Sequence, residues 1–220
     1  EELADHMGIP HRSSTILILL LISTVYALAY SNCFHNGFYQ DDKFLIGERA
    51  PQMEGQPFSA HFQPLYAEGI HFRPVGSIVI SFLYSQFHEN VVGYHLFNFI
   101  LFYLNAVLLF LFLKILTKNP SLSLMTMALF ILHPINAVFI NSISTQIFTL
   151  LSIFLLISLI LLGLWGKRRP WAILYFVLSV VFFGLALLCH PGAVVLIPVV
   201  LSFLYFIRKK SFLETAFLSA

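Results

Sequence analysis

The chain has 220 residues, 59% of them hydrophobic and 10% charged, with a formal net charge of +2 and a mean hydropathy of +0.86. A soluble domain carries charge on about a quarter of its residues, so this composition excludes one and predicts an integral membrane protein. The small net charge, and the lack of a basic patch with interleaved aromatics, exclude a nucleic-acid partner. The apolar runs are long and do not alternate. They predict an all-α polytopic bundle and argue against a barrel of short alternating strands.

Six spans are expected, at about 14–31, 92–116, 121–141, 145–165, 171–189 and 192–207, each near the roughly 20 residues that a bilayer core requires. Residues 1–220 read as a single membrane domain. Glu1 to Arg12 is polar and the following apolar run lacks a small-residue cleavage site, so the first span is expected to remain as an anchor. Asn119-Pro120-Ser121 and Gly166-Lys167-Arg168-Arg169-Pro170 break the chain between spans, and Pro198 falls inside the last one.

Basic residues set the expected orientation. With the N-terminus in the cytoplasm, the inner side holds Arg12, Lys114, Lys118, Lys167, Arg168, Arg169, Arg208, Lys209 and Lys210. The outer side then holds only Lys43, Arg49 and Arg73. Loop 32–91 is therefore expected outside the cytoplasm, in a periplasm or lumen, and so are His35, His61, His71, His88, His95, His133 and His190. Long loops on compact scaffolds usually carry function. Within this one, Val75 to Phe87 is apolar but too short to span, and predicts a helix lying in the interface, started by Pro74.

Asp41 and Asp42 are the leading candidates for chemistry, in Phe38-Tyr39-Gln40-Asp41-Asp42-Lys43-Phe44. Carboxylates held against a membrane are costly, and like-charge proximity tends to raise one pKa toward general-base range. A solvated turn is the plain alternative. His133-Pro134 and His190-Pro191 either present an imidazole to a cavity or simply stop helices. His95, Asn98 and Asn105 share one face of the second span, and Thr145, Thr149 and Ser152 one face of the fourth. Such faces usually join helices by hydrogen bonding. The histidines lack compact metal-ligand spacing. Cys33 and Cys189 leave both a disulfide and two free thiols open. The chain shows no phosphate-cradling glycine loop, HExxH, nucleophile elbow or CxxC.

Taken in order, these pieces resemble the polyprenyl-phosphate-sugar glycosyltransferases of the GT-C superfamily. The nearest likeness is the transmembrane O-mannosyltransferase type with tetratricopeptide repeats, and its bacterial relatives. An aromatic-flanked Asp-Asp follows the first span, and Phe72-Arg73-Pro74-Val75 leads into a juxtamembrane helix. Gly93-Tyr94-His95-Leu96-Phe97-Asn98 opens the second span, and His133-Pro134-Ile135 closes the third. The resemblance implies a sugar donor on a lipid phosphate and an acceptor outside the cytoplasm. Asp41 or Asp42 would be the catalytic base. Arg73, the only outer arginine expected near the interface, would contact the phosphate, with His95 and His133 as further substrate contacts. A divalent cation, if used, would sit on Asp41 or Asp42. Three charged family positions are replaced, by Val138, by Gln146 and by Cys189-His190-Pro191, and relatives continue through further spans. These departures define the alternative, a catalytically degenerate accessory or structural subunit of a larger membrane complex. A small transporter or channel lacks support, because the spans carry no paired broken helices or intramembrane charges.

Overall fold

The computed structural model describes residues 12–63, 72–165, 171–198, 200–202 and 205. Every regular element among them is helical. The apolar spans form α1 (Arg12–Tyr30), α5 (Val91–Thr117), α6 (Pro120–Leu132), α8 (Gln146–Trp165) and α9 (Ala172–Cys189). Between α1 and α5 stand a 3-10 turn (Ser31–His35), α2 (Asp41–Phe44), a π-turn (Leu45–Arg49), α3 (Ala50–Met53), a second 3-10 turn (Phe58–Phe62) and α4 (Pro74–Phe87). Short α7 (Ala137–Asn141) joins α6 to α8.

Four of the helices are long and apolar enough to cross a membrane, and a fifth crossing results if the bent pair α6–α7 counts as one. The chain is an integral membrane helix bundle. The third span departs from the expected single helix over 121–141. It stops at Leu132, and the segment after Pro134 leaves at 55°, because proline cannot donate to the preceding turn and crowds its carbonyl. The expected sixth span, 192–207, starts as a 3-10 turn, Pro191–Leu196, and its far end lies outside the described residues. So do His71, Lys167, Arg168, Arg169, Arg208, Lys209 and Lys210.

Helix ends follow from their sequences. Asn90 caps α5 by accepting from the Val92 N–H at 3.2 Å. The same helix ends at Lys118 in the left-handed region (φ 57°), and Asn119 then caps α6 through the Leu122 N–H at 3.1 Å. Pro120 and Pro74 occupy first-turn positions of α6 and α4, where their missing donor costs nothing.

Helix α5 is the centre of the bundle. One side packs Phe102, Ala106 and Phe110 against Ile22 and Tyr26 of α1 and Leu124, Met127 and Ile131 of α6. The other packs Leu101 against Ile147, Leu150 and Ile153 of α8. Polar faces pin these apolar contacts in register, because a hydroxyl or amide in lipid must find a partner. Ser152 donates to Asn105 Oδ1 at 3.0 Å, and Asn98 Nδ2 donates to the Ser142 carbonyl at 2.9 Å. Residue numbers rise together across these two contacts, so α5 and α8 run parallel. Ser158 and Ser179 clasp α8 to α9, each hydroxyl donating to the other's carbonyl, at 2.9 and 3.0 Å. Cys33 and Cys189 are both free and buried.

Candidate functional site

The residues after α1 were expected to form a loop up to Val75, yet Asp41 to Met53 is continuous helix with a wide turn in its middle. Pro51 is the local cause. It has no N–H for the carbonyl four residues back and its ring crowds that group, and a π-turn over Leu45–Arg49 opens the spacing. Ile46 is buried with Ile80, Leu83, Tyr94 and Ile143, which seats this helix on α4 and on the start of α5. The consequence is that Leu45 and Arg49 face one recess.

The two aspartates part company. Asp42 is fully buried. Its Oδ1 accepts from the Ser144 N–H at 2.7 Å and from the Ser142 hydroxyl at 3.5 Å, and its Oδ2 accepts from the Tyr39 N–H at 3.3 Å. Asp42 thus ties the aspartate segment to the α7–α8 junction, about a hundred residues away in sequence. Asp41 is exposed at the start of α2, and its carbonyl accepts from the Leu45 N–H. The four-residue spacing puts Asp41 on the helix face that carries Leu45. Just before it, Gln40 holds φ 45° and ψ −115°, and the Asp42 N–H closes the turn onto the Tyr39 carbonyl at 2.9 Å. Glycine normally takes that place in a type II′ turn, and a side chain there stores roughly 1–3 kcal/mol of strain.

Two cavities flank the Asp42 tie. The smaller, about 70 Å³, is lined by Leu45, Arg49, Arg73, Gly76, Ser77, Ile80, Ser144, Gln146 and Ile147. The larger, about 510 Å³, is bounded by His35, Asn36, Gly37, Phe38, Tyr39, Val138, Asn141 and Ser142. Ser144 of one and Ser142 and Tyr39 of the other all bond Asp42, so this carboxylate forms the partition between them. Asn36 donates to Asn141 Oδ1 at 2.7 Å and holds the larger cleft's two walls together.

The small recess is cationic. Arg49 and Arg73 both border it, and no carboxylate does. Sequence reasoning placed only Arg73 near the interface. It missed Arg49 because the register of a π-turn is not visible in a hydrophobic pattern. Arg73 Cζ stands 6.0 Å from the centre of the Phe148 ring, and His190 lies against the same ring at 5.2 Å. The Arg49 Nε is buried without a hydrogen-bond partner. The positive end of α8, whose twenty residues begin at Gln146, opens on the same recess and adds to its preference for an anion. His61 Nδ1 and Ser77 Oγ are 2.9 Å apart at its edge. Burial, reinforced by the nearby Arg49 guanidinium, pushes the His61 imidazole below its ordinary 6.5, so at neutral pH it adds no charge.

Asp42 and Arg73 are brought to this region, and Asp41 to the same helix face. His95 and His133 line neither cavity. His95 is fully buried on α5 with Nδ1 3.4 Å from the Ile140 carbonyl. His133 is exposed and caps the turn after α6, its Nδ1 accepting from the Ile135 N–H at 3.3 Å. His190 does the same for the Gly192 N–H at 3.0 Å. Both His-Pro pairs therefore act as caps on 3-10 turns. Among the described residues, no three His, Cys, Asp or Glu side chains converge on a cation position. No protein-family model, no curated protein and no solved structure matches the chain.

Proposed function

We propose that this chain transfers a glycosyl group from a polyprenyl-phosphate sugar to an acceptor outside the cytoplasm, with its N-terminus inside and residues 32–91 outside. One observation carries the reading: Arg49 and Arg73 share a recess beside the helix face that bears Asp41, at the foot of the interfacial helix α4. Two guanidiniums suit a phosphate, since each presents a planar fork of donors to anionic oxygens. The prenyl tail would run along the apolar surface of the bundle. The acceptor would enter through the larger cleft, whose volume suits a ligand and whose walls carry amides, a hydroxyl and aromatic edges.

In this reading, Asp41 takes the proton of the acceptor hydroxyl as its oxygen attacks the anomeric carbon. The bond from that carbon to the phosphate oxygen breaks, and its electron pair leaves on the polyprenyl phosphate. Arg49 and Arg73 stabilise that growing charge. Asp42 holds the partition and takes no proton.

The second reading, a non-catalytic subunit of a membrane complex, is favoured by the structural commitment of Asp42 and by neutral Val138 and Gln146 lining the two cavities. Purified protein in nanodiscs, supplied with polyprenyl-phosphate sugars and acceptor peptides or glycans, decides between them. The enzyme reading expects Asp41→Asn to abolish transfer with donor binding intact, and Arg49→Gln or Arg73→Gln to weaken donor binding. Failure of the unmodified protein to bind or transfer, together with co-purification in a larger complex, would establish the subunit.

A further inference from the structure

The ends of α1, α6, α8 and α9 meet at one level of the bundle. The Tyr26 hydroxyl, in the last turns of α1, donates to the Phe99 carbonyl of α5 at 2.8 Å, and that of Tyr30 to the His133 carbonyl just past α6 at 3.3 Å. Asn98 of α5 donates to the Ser142 carbonyl shortly before α8 begins. Cys189, the last residue of α9, is buried in one cluster with Ile147 in the first turn of α8. The twenty residues of α8 rise about 30 Å, the thickness of a bilayer's hydrocarbon core. This level therefore marks one edge of the hydrocarbon, and α5 continues past it, from Asn98 back to Val91, by about 10 Å.

The second 3-10 turn, Phe58–Phe62, is fastened at that level. His61 Nδ1 stands 2.9 Å from Ser77 Oγ, and Gly76 beside Ser77 lies against the Ile147 side chain. Within the same turn Phe58 is 67% exposed and Phe62 42%, with their ring centres 5.3 Å apart. Two adjoining phenyl rings left in water keep apolar surface uncovered, and they stand here beside an apolar phase. From Gly55 to Gln63 the chain carries no Asp, Glu, Lys or Arg, and burial near Arg49 keeps the His61 imidazole neutral. The turn can therefore enter a headgroup layer without taking a charge out of water.

We infer that Phe58 and Phe62 form a membrane anchor, with both rings inserted among the outermost acyl carbons of the leaflet at this end of the bundle. The turn's backbone and Ser59 stay among the hydrated headgroups, as in interfacial segments that bury only an apolar face. The partner is the lipid bilayer that holds the spans. Its effect is to keep the turn, and His61 with it, seated on α4 at the membrane edge. The inference is independent of the transfer reaction proposed above.

The test places a single indole in the full chain in nanodiscs. Phe58→Trp and Phe62→Trp are each made with Trp165→Phe and Trp171→Phe, which removes both native tryptophans. Glu54→Trp in the same background is the reference. Glu54 lies 4.0 Å from His88, whose carbonyl accepts from Tyr94 at the protruding end of α5. All three positions are exposed, where such exchanges leave folding intact. Phosphatidylcholine carrying a nitroxide near the top of its acyl chain should quench most of the emission of Phe58→Trp and Phe62→Trp, and little of that of Glu54→Trp. Aqueous iodide should do the reverse. Iodide quenching of Phe58→Trp and Phe62→Trp equal to the reference, with no loss to the labelled lipid, leaves the rings in water and overturns the anchor. Protection from both quenchers overturns it as well, because protein then covers the rings.

Discussion

At the scale of single residues, the adjacent carboxylates have unequal surroundings and should fail in different ways. Asp42 joins two segments through charge-assisted hydrogen bonds, each worth roughly 1.5–3 kcal/mol. Asp42→Ala also strands the Ser144 and Tyr39 N–H groups. The two backbone bonds alone put the expected loss at about 3 kcal/mol or more, or about 6–12 °C of melting temperature at this chain length. Asp41 is exposed, and Asp41→Asn should move the melting temperature by no more than about 2 °C. Thermal unfolding of both variants in the same detergent checks this, and equal shifts would show that the two positions are interchangeable. The pair was legible in the sequence as a chemical feature. Its division into anchor and exposed carboxylate was not, because the partners of Asp42 come from Ser142 and Ser144, far along the chain.

At the scale of elements, the run Gly93-Tyr94-His95-Leu96-Phe97-Asn98 fastens the end of α4 and the α7–α8 junction to the bundle. Tyr94 donates to the His88 carbonyl at 2.7 Å, His95 meets the Ile140 carbonyl, and Asn98 holds the Ser142 carbonyl. Gly93 lets α5 pass close to the end of α4, where a methyl group would overlap the Phe87 ring. Gly93→Ala should therefore cost roughly 1–3 kcal/mol through overpacking. The cost should shrink in a Phe87→Leu background, and a double-mutant cycle on unfolding in detergent measures the coupling. Identical costs in both backgrounds would dismiss the contact. Periodicity foretold α4 and α5 within a few residues, since both are long apolar runs. It did not foretell α2, the π-turn and α3. That stretch mixes Asp, Lys, Gly, Glu, Arg and Pro, and only Asp42, Ile46, Ala50 and Met53 are buried to hold it.

At the scale of the whole molecule, the orientation proposed from basic residues has a direct test. Both native thiols are buried, so a membrane-impermeant maleimide should leave them unlabelled. Ser59→Cys, at an exposed position in the second 3-10 turn, should be labelled from the outer side of sealed vesicles. Thr117→Cys, exposed at the opposite end of α5, should react only once the vesicles are opened. The reverse pattern would place residues 32–63 in the cytoplasm, which would remove the extracytoplasmic acceptor from the proposal.

Composition and run length by themselves determined that this chain is a helical membrane bundle. Long apolar runs without alternation satisfy the backbone in lipid as helices, whereas a barrel needs short alternating strands. They also located most of the spans, because hydropathy is a local property. Tertiary structure alone decided the rest. It tied Asp42 to Ser142 and Ser144, and brought Arg49 beside Arg73 at the foot of α4 with Gln146 at the start of α8. These are relations between residues distant in sequence. They depend on which helix faces meet and on the register set by a few buried hydrogen bonds, and no single stretch of the chain encodes them.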